Sequence, residues 1–297
     1  MKLVATLVSD PQTPAVDNFV VGKAATALGV AASCTTLREG VAVDMFFEGN
    51  LPDVKGYERN IRMALDGFPV DIAVQQAENR KKKLFLADMD STMIGQECID
   101  ELADHAGVKQ YVAAITERAM RGEIAFEPAL RERVSLLKGV PLTAIREIID
   151  TRIVLTPGGP ELVRTMRKNG AFTSLVSGGF TLFTGPLSRL IGFDEHHSNT
   201  LGVDGDHLNG EVVGPILGKD AKLATLKALR VRFNLEPSET MVAGDGANDL
   251  PMILEAGTGV AFHAKPKVAA AAPVNVLHAD LTALLYFQGY RFSEFVT

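Results

Sequence analysis

The spacing of hydrophobic residues changes character at about residue 76. Before that point the pattern predicts strand, helix, strand, strand, helix and strand in succession. Lys2 to Val8 and Val70 to Val74 are short apolar runs, and Val41 to Phe47 alternates as a half-buried strand does. Helical spacing extends from Val16 to Leu28 and from Tyr57 to Leu65. This order predicts a small α+β domain of the ferredoxin-like type.

The second part of the chain follows a different pattern. From Leu84 onward, short apolar runs alternate with helical segments, which predicts an α/β fold built on a Rossmann-like parallel sheet. A helical stretch from Glu97 to Ile149 contains no strand and is too long for a simple crossover, so we expect a helical cap inserted at about 95–153. The polar segment from Glu78 to Lys83 is predicted to be a solvated linker. The domains are therefore expected at residues 1–78 and 79–297.

The composition is that of a folded protein without a large charged surface. With 297 residues, 46% of them hydrophobic, the chain can bury a sizeable core and is long enough for two domains. A net charge of -6 argues against binding to nucleic acid or to a membrane surface. The N-terminus lacks a signal-peptide pattern and no apolar stretch is long enough to span a membrane, so we expect a cytoplasmic protein. Cys34 and Cys98 are expected to be buried, reduced thiols.

Three of the apolar runs end directly in a polar or glycine-rich turn. These runs are Leu84 to Ala87, Thr173 to Val176 and Thr240 to Ala243. In open parallel sheets, ligands bind at the carboxyl ends of the strands. The three turns are therefore the places where we expect the chemistry of the protein.

The first of these turns carries two carboxylates, Asp88 and Asp90. If the backbone curls at the strand end, both can reach one small site, where one attacks and the other transfers protons. A solvated loop is the simplest alternative. A calcium loop of the EF-hand type is excluded, because it would need Gly in place of Met93 and Glu in place of Ile99.

The other two turns predict a phosphate cradle and a cation site. Ser177 and Gly178 combine a hydroxyl with free backbone N–H groups, which suits a phosphate group, although an ordinary tight turn has the same residues. In the third turn, flanking glycines let Asp245 and Asp249 direct hard oxygen ligands at a cation such as Mg²⁺. Lys222 opens a predicted helix and is either solvated or the cation that balances charge during phosphoryl transfer.

Together these elements resemble the four ordered motifs of the haloacid dehalogenase superfamily, over the chain from about Leu84 to Ala261. The resemblance implies that Asp88 is the nucleophile and that Asp90 is the general acid and base. It also implies that Asp88, the backbone carbonyl of Asp90 and Asp245 bind Mg²⁺, while Asp249 supports the site without binding the metal directly. The residues implied to hold the phosphoryl oxygens are Ser177, Gly178 and Lys222.

A narrower resemblance is to the phosphoserine phosphatases. The segments that carry it are Asp88 to Glu97, Phe126 to Val134, Val176 to Phe180 and Gly244 to Asp249. It implies hydrolysis of O-phospho-L-serine to L-serine and phosphate in serine biosynthesis, through a phospho-aspartyl intermediate. The nearest alternative is a superfamily phosphatase or phosphotransferase that acts on another small phosphate ester.

The same resemblance assigns the recognition of the substrate to the cap. It implies that Glu97 binds the ammonium group and that Arg133 binds the carboxylate, which suits a planar bidentate cation. Met120 and Phe126 are implied to close over the substrate, and Asn248 to lie near the phosphate. A sugar phosphate would need neither the ammonium partner nor the carboxylate partner.

The N-terminal part resembles an ACT-type regulatory module. ACT domains that bind amino acids often carry a glycine in the loop after the first strand, where this chain has Ser9 to Pro14, which argues against amino-acid binding at that loop. The pattern leaves a homodimer open. A catalytically inactive sensor is another alternative, but the complete set of motif residues, Asp88, Asp90, Lys222 and Asp245, argues against it.

Overall fold

The structure, a computed structural model, describes residues 1–121 and 123–297, without the side chain of Met120. Two sheets organise these residues, an antiparallel sheet near the N-terminus and a mostly parallel sheet after it. Both were expected from the hydrophobic pattern. The bounds of the elements show how they bring the predicted site together.

The N-terminal sheet has four antiparallel strands in the order β2-β3-β1-β4. Its strands are β1 (Lys2–Val8), β2 (Ala32–Arg38), β3 (Ala42–Glu48) and β4 (Asp71–Gln76). Its helices are α1 (Asn18–Leu28) and α2 (Val54–Ala64). The βαββαβ order confirms the ferredoxin-like fold expected of an ACT-like domain.

Helix α1 is shorter than the hydrophobic pattern predicted, because local hydrogen bonds define its ends. The side chain of Asp17 accepts from the backbone N–H of Val20 at 2.8 Å, which caps the start of the helix at Asn18. At the other end Gly29 adopts φ 68°, a left-handed conformation that glycine tolerates without strain. Capping chemistry therefore decided the helix bounds, and hydrophobic spacing decided only its buried face.

The second sheet has seven strands in the order β11-β10-β9-β5-β6-β7-β8. Its strands are β5 (Leu84–Ala87), β6 (Phe172–Phe180), β7 (Glu195–Asp204), β8 (His207–Val213), β9 (Thr240–Gly244), β10 (Thr258–Phe262) and β11 (Val274–Val276). Neighbouring strands are parallel except for β8, which pairs with β7 as a hairpin. The prediction of a Rossmann-like sheet is confirmed.

A helical cap follows the first strand of this sheet, as predicted. Its helices are α3 (Cys98–His105), α4 (Lys109–Met120), α5 (Phe126–Ser135) and α6 (Leu142–Thr151). The two segments that join the cap to the sheet lie side by side, since Ile94 and Leu155 form an isolated bridge. The backbone N–H of Thr156 also donates to the carbonyl of Met93 at 3.0 Å, which joins the same two segments. The cap is therefore attached immediately beside the turn that carries Asp90.

The remaining helices pack on the parallel sheet. They are α7 (Gly159–Lys168), α8 (Thr181–Ile191), α9 (Lys219–Phe233), α10 (Leu250–Glu255), α11 (Pro266–Ala271) and α12 (Ala283–Phe287). Helix α9 begins three residues before Lys222, which had been predicted to open it. Over the described residues, no helix combines the length and hydrophobicity needed to cross a bilayer.

The two sheets share one hydrophobic core. Val8, Ala42 and Ala73 of the antiparallel sheet belong to the same buried cluster as Leu284 and Phe287 of α12. The other face of the antiparallel sheet packs against α1 and α2 in a second cluster. Strand β1 is consequently buried along almost its whole length.

Two expectations about individual residues are wrong. Within the predicted linker, Arg80 is not solvated, because its guanidinium forms two hydrogen bonds with the buried carboxylate of Asp44 at 3.1 and 2.7 Å. The sequence could not show a partner that lies on β3. Cys34 is exposed, because it lies on the edge strand β2, whereas Cys98 is buried as expected.

A buried polar contact between the two parts of the chain involves Asp71 at the start of β4. Its fully buried carboxylate accepts backbone N–H groups from Leu277, His278 and Ala279 at 2.8, 3.0 and 2.8 Å. A buried carboxylate is costly unless hydrogen bonds replace its hydration, and these three do so. The segment after β11 is thereby fixed to the antiparallel sheet.

We expect Asp71→Asn to destabilise the protein by about 2–4 kcal/mol, because a neutral amide cannot replace both charged oxygens and directs its own N–H groups at a donor. Denaturant unfolding of the two proteins measures the difference. Asp66→Asn, at an exposed position of the same domain, is the matched control and should change stability by less than about 0.5 kcal/mol. Equal stability of Asp71→Asn and the wild type would contradict the assignment.

Candidate active site

The three predicted turns meet at one edge of the parallel sheet. Strand β5 lies between β9 and β6, and Ala87, its last residue, is paired with Ala243 on one side and Leu175 on the other. Asp88 therefore leaves the sheet between the turn that follows β9 and the glycine-rich end of β6. The candidate residues therefore lie together at the strand ends, where the sequence predicted them.

A buried lysine connects two of the carboxylates. Nζ of Lys222, on α9, lies 2.7 Å from Oδ2 of Asp88 and 2.6 Å from Oδ1 of Asp249. All three residues are at least 95% buried, with exposed fractions of 2%, 5% and 0%. Lys222 is thus the internal cation of the site, and the alternative of a solvated lysine is wrong.

Burial and charge act in opposite directions on this group of residues. Burial raises the pKa of Asp88 well above its ordinary value, although Lys222 partly offsets that shift. Burial alone would lower the pKa of Lys222, but the two carboxylates that it contacts raise it above the ordinary value. Lys222 therefore stays charged near neutral pH and holds Asp88 in place.

Asp90 occupies a turn that the backbone shapes around it. The segment Met89–Met93 forms one π-type turn in which Ser91 adopts φ 55°, and the backbone N–H of Cys98 donates to Oδ1 of Asp90 at 3.0 Å. Burial and then the charge of Glu97 raise the pKa of Asp90 to about 6. A carboxyl group with such a pKa can both give and take a proton near neutral pH.

Ser177 lies beside Asp90, at the glycine-rich end of β6. Its hydroxyl is 3.4 Å from Oδ2 of Asp90 and accepts the backbone N–H of Gly179 at 2.8 Å. A Cβ on Gly179 would lie 3.0 Å from both the Asp90 carboxylate and the Ser177 hydroxyl, so a side chain here would crowd the two groups. The carbonyl of Gly178 accepts from Asn199 at 2.8 Å, which secures the turn.

The fourth carboxylate of the site is Asp245, directly after β9. Ligand oxygens of Asp88, Asp245 and Asp249 lie within 4.8 Å of one another, close enough to hold a metal ion. Burial and then the charge of Asp249 raise the pKa of Asp245 to about 6. A Cβ on Gly244 would meet the side chain of Asp249 at 2.5 Å, which explains the glycine before Asp245.

One cavity of about 290 Å³ gathers most of the predicted residues. The predicted residues that line it are Asp88, Asp90, Glu97, Phe126, Arg133, Gly178, Asp245 and Asn248. A second cavity of about 720 Å³ reaches Lys222 and shares Phe126, Gly178 and Asn248 with the first. Ser177, which is 1% exposed, lies beneath the lining.

The cap contributes the two residues that were expected to bind an amino-acid head group. Glu97 precedes α3 and accepts from the hydroxyl of Ser91 at 2.7 Å. Arg133, near the end of α5, is half-buried, and burial lowers its pKa although Asp100 and Glu97 act in the opposite direction. One anion and one cation of the cap therefore face the carboxylates of the sheet across the cavity.

Several residues of the cavity were not predicted. They are Ile99, Thr116, Leu130, Gly179, Phe180, Gly246 and Lys265. Gly179 belongs to the turn already singled out, but no motif indicated Thr116 or Lys265, which reach the cavity only through the fold. The side chain of Met120, expected to close over the substrate, lies outside the described residues.

The fold and the cavity together define a Rossmann-like domain with a helical cap over a site suited to phosphoryl transfer. The site has a candidate nucleophile, a candidate proton donor, a buried cation and carboxylate oxygens that could hold a metal ion. The family model for haloacid dehalogenase-like hydrolases matches residues 85–254. The chain belongs to this family.

Individual relatives narrow the comparison. The phosphoserine phosphatase of Saccharomyces cerevisiae is 38% identical over 258 residues, which are 85% of this chain and 84% of that protein. A solved HAD family hydrolase from Salmonella enterica serovar Typhi superimposes with a TM-score of 0.86 at 27% identity and covers 96% of this chain and 98% of its own. A phospho-aspartyl intermediate analogue of phosphoserine phosphatase superimposes with a TM-score of 0.64 at 38% identity. It covers 70% of this chain and 99% of its own. These relatives confirm the resemblance to the phosphoserine phosphatases.

The raised pKa of Asp245 predicts a specific pH dependence of stability. Because the folded pKa lies near 6 and the ordinary value is 3.8, ionising Asp245 costs stability as pH rises from about 4 to about 6. We expect metal-free Asp245→Asn to be more stable than the metal-free wild type at pH 7.5, by on the order of 2 kcal/mol, and the difference to vanish near pH 4. Denaturant unfolding at a series of pH values in chelator measures it.

The same experiment with Mg²⁺ supplies the control. A cation that binds the carboxylates stabilises the wild type more than Asp245→Asn, so the order of the two proteins should reverse. A pH-independent difference in chelator would contradict the assigned pKa of Asp245.

Proposed function

We propose that the protein is a phosphoserine phosphatase, which hydrolyses O-phospho-L-serine to L-serine and phosphate as a step of serine biosynthesis. The observation that carries the proposal is a single cavity in which Asp88 and Asp90 face Glu97 and Arg133. An amino acid that bears a phosphate ester has one group for each side of this cavity. The names of the relatives support the same substrate.

We propose that Mg²⁺ is the metal of this site, in a family whose phosphatases generally use a divalent cation. The donor set fits, because carboxylate oxygens are the hard ligands that Mg²⁺ prefers and three of them converge here. The resemblance of the motifs implies that Asp88, Asp245 and the backbone carbonyl of Asp90 would hold the ion, and that Asp249, which shares Lys222 with Asp88, would support the site. When bound, the ion would neutralise charge on the phosphoryl oxygens and on the attacking carboxylate.

The side chains then divide the reaction into two displacements. A carboxylate oxygen of Asp88 attacks phosphorus, the bond from phosphorus to the serine oxygen breaks, and Asp90 donates its proton to that oxygen. Water next attacks the phospho-aspartyl group and gives a proton to Asp90, and phosphate leaves while Asp88 is regenerated. Lys222 and the hydroxyl and N–H groups at Ser177 and Gly178 stabilise the phosphoryl oxygens throughout.

Recognition of the substrate is proposed to come from the cap. The carboxylate of Glu97 pairs with the substrate ammonium, and the guanidinium of Arg133 binds the substrate carboxylate in bidentate fashion. Phe126 at the start of α5 is proposed to close over the substrate, since its Cζ lies 3.9 Å from the point that a Cβ on Gly178 would occupy. Asn248 faces the same cavity beside the proposed phosphate position.

We also propose the division of the chain into an ACT-like domain at 1–78 and a phosphatase domain at 79–297, with the cap inserted at about 95–153. Strands β1 to β4 end at Gln76, and helices α3 to α6 begin at Cys98 and end at Thr151, which supports these limits. The shared core argues that the two domains act as one folded unit.

A phosphate-release assay tests the proposed function. We expect Mg²⁺-dependent turnover of O-phospho-L-serine that exceeds turnover of sugar phosphates about 100-fold or more in kcat/KM, because sugar phosphates leave Glu97 and Arg133 without partners. Excess chelator should abolish turnover, since Asp88 would then approach a phosphate dianion through uncompensated repulsion.

Asp88→Asn is the control for the chemistry and should leave no phosphorylated protein detectable by mass spectrometry, because an amide cannot serve as this nucleophile. Preferred turnover of another small phosphate ester would contradict the proposed substrate. Transfer of the phosphoryl group to an alcohol instead of water would show a phosphotransferase. Full activity in chelator after dialysis would refute the metal assignment.

Arg133→Ala should separate recognition from chemistry. We expect kcat/KM for phosphoserine to fall by about 30-fold or more, because the substrate carboxylate loses a desolvated bidentate partner. Arg133→Lys should recover only part of this loss, since an ammonium group cannot form the two parallel hydrogen bonds that a guanidinium makes with a carboxylate. Hydrolysis of p-nitrophenyl phosphate, which has no amino-acid head group, should change far less.

Arg131→Ala is the matched control, because Arg131 lies on the same helix, pairs with Glu127 at 2.8 Å and is half exposed. Its activity toward both substrates should equal that of the wild type. An equal loss of both activities in Arg133→Ala would show that Arg133 serves the fold or the phosphate and not the head group.

A further inference from the structure

Protein acceptors already hold two of the three guanidinium nitrogens of Arg133. Nε donates to the backbone carbonyl of Ala129 at 3.3 Å, and Nη1 donates to the hydroxyl of Thr116 at 3.3 Å. In the described part of the chain, no hydrogen bond involves Nη2. A guanidinium carries five N–H groups in one plane, so both protons of Nη2 and one of Nη1 remain. One N–H of Nη1 and one N–H of Nη2 form the edge that can bind a carboxylate in bidentate fashion.

Thr116 reaches Arg133 from another helix and presents an oriented oxygen. Its hydroxyl donates to the backbone carbonyl of Val112 at 3.0 Å, one turn earlier in α4. Because the single hydroxyl proton is used in that bond, only lone pairs of the oxygen are left for Nη1 of Arg133. The β-branched side chain also restricts rotation about χ1, which limits where the oxygen can point.

The surroundings of Arg133 make such an anchor necessary. Thr116 and Arg133 line the same cavity, with Leu130 as an apolar wall. Asp100 and Glu97 are near enough to favour the charged form of Arg133. A guanidinium without an anchor could rotate toward one of these carboxylates, and the free edge would then turn away from the substrate.

We propose that Thr116 is a positioning residue that sets the preference of the site for substrates with a carboxylate group. Its hydroxyl holds Nη1 so that the free edge of Arg133 faces the cavity before substrate arrives. Preorganisation of this kind lowers the entropic cost of ordering a long side chain on binding. The proposal rests on the proposed function and adds a residue of α4 to the recognition of the head group.

Two variants and two substrates test this inference. Thr116→Val keeps the shape and the β-branch but removes the hydroxyl, whereas Thr116→Ser keeps the hydroxyl. O-phosphoethanolamine retains the phosphate and the ammonium group of phosphoserine and lacks only its carboxylate. It therefore reports on everything in the cavity except the group that Arg133 binds.

We expect Thr116→Val to raise KM for phosphoserine roughly tenfold with kcat within about twofold, because the lost contact serves ground state and transition state alike. Its kcat/KM for phosphoethanolamine should stay within about twofold of the wild type. Thr116→Ser should restore KM for phosphoserine to within about threefold.

Thr151→Val is the matched control for helix stability. Thr151 lies at the end of α6, in the same cap, and its hydroxyl donates to the carbonyl of Glu147 at 2.7 Å, the same kind of bond that Thr116 makes. Its kinetics should equal those of the wild type, and thermal unfolding of all variants shows whether the cap stays folded.

The experiment distinguishes failure of this inference from failure of the proposed function. If the wild type does not hydrolyse phosphoserine, the proposed function is refuted and this inference with it. If the wild type does so and Thr116→Val keeps an unchanged KM, the inference alone is overturned. Equal losses for phosphoserine and phosphoethanolamine would also overturn it, because Thr116 would then not affect recognition of the substrate carboxylate. A failure of Thr116→Ser to restore KM would overturn it as well, because the hydroxyl would then not be the group responsible.

Discussion

The contact of Lys222 with Asp88 and Asp249 is the interaction on which the site depends. Both carboxylates are almost completely buried, at 2.7 and 2.6 Å from one ammonium group. Without an internal cation, the desolvation of two neighbouring carboxylates would cost several kcal/mol for each ion. Lys222 balances only part of the negative charge, however, since Asp245 and Asp90 lie at the same sheet edge with raised pKa values. This remaining charge is what gives the site its capacity for a divalent cation.

The division between sheet and cap follows from where the chain is joined. The cap leaves the sheet directly after the turn of Asp90 and returns beside the same turn, through the bridge of Ile94 and Leu155. Its helices can therefore cover the strand ends without interrupting the sheet. The groups proposed for chemistry stay on the rigid sheet edge, and Glu97 and Arg133 stay on the cap. A change in the cap can then alter substrate preference while the phosphoryl machinery is kept.

The N-terminal domain is integrated into the catalytic domain. Its sheet contributes to the core that also contains α12, and Asp71 binds three backbone N–H groups of the segment after β11. Arg80, in the connection between the domains, pairs with Asp44 inside the same interface. Polar contacts this well satisfied, together with a continuous apolar core, oppose relative movement of the domains. Any signal received by the ACT-like domain would thus have to pass through a packed interface.

The sequence by itself determined the elements and the residues of the sheet edge. Asp88 and Asp245 could be predicted because each follows an apolar strand, and Ser177 because it follows the apolar part of β6; parallel strands bring their carboxyl ends together. The order of the motifs indicated Lys222 as well, although its burial became visible only when α9 was placed against β5 and β6. Local chemistry also determined helix ends, as Asp17 shows at the start of α1.

Only the tertiary structure decided which distant side chains meet. Thr116 and Arg133 lie 17 residues apart on different helices, Arg80 and Asp44 lie 36 apart, and no periodicity connects either pair. Hydrophobic patterns specify which face of an element is buried, but they do not specify which element covers it. Hydrogen bonds and ion pairs between elements depend on that packing and on distances of a few tenths of an ångström. For this reason the strand-end carboxylates could be read from the sequence, whereas the partners that orient Arg133 and bury Arg80 could not.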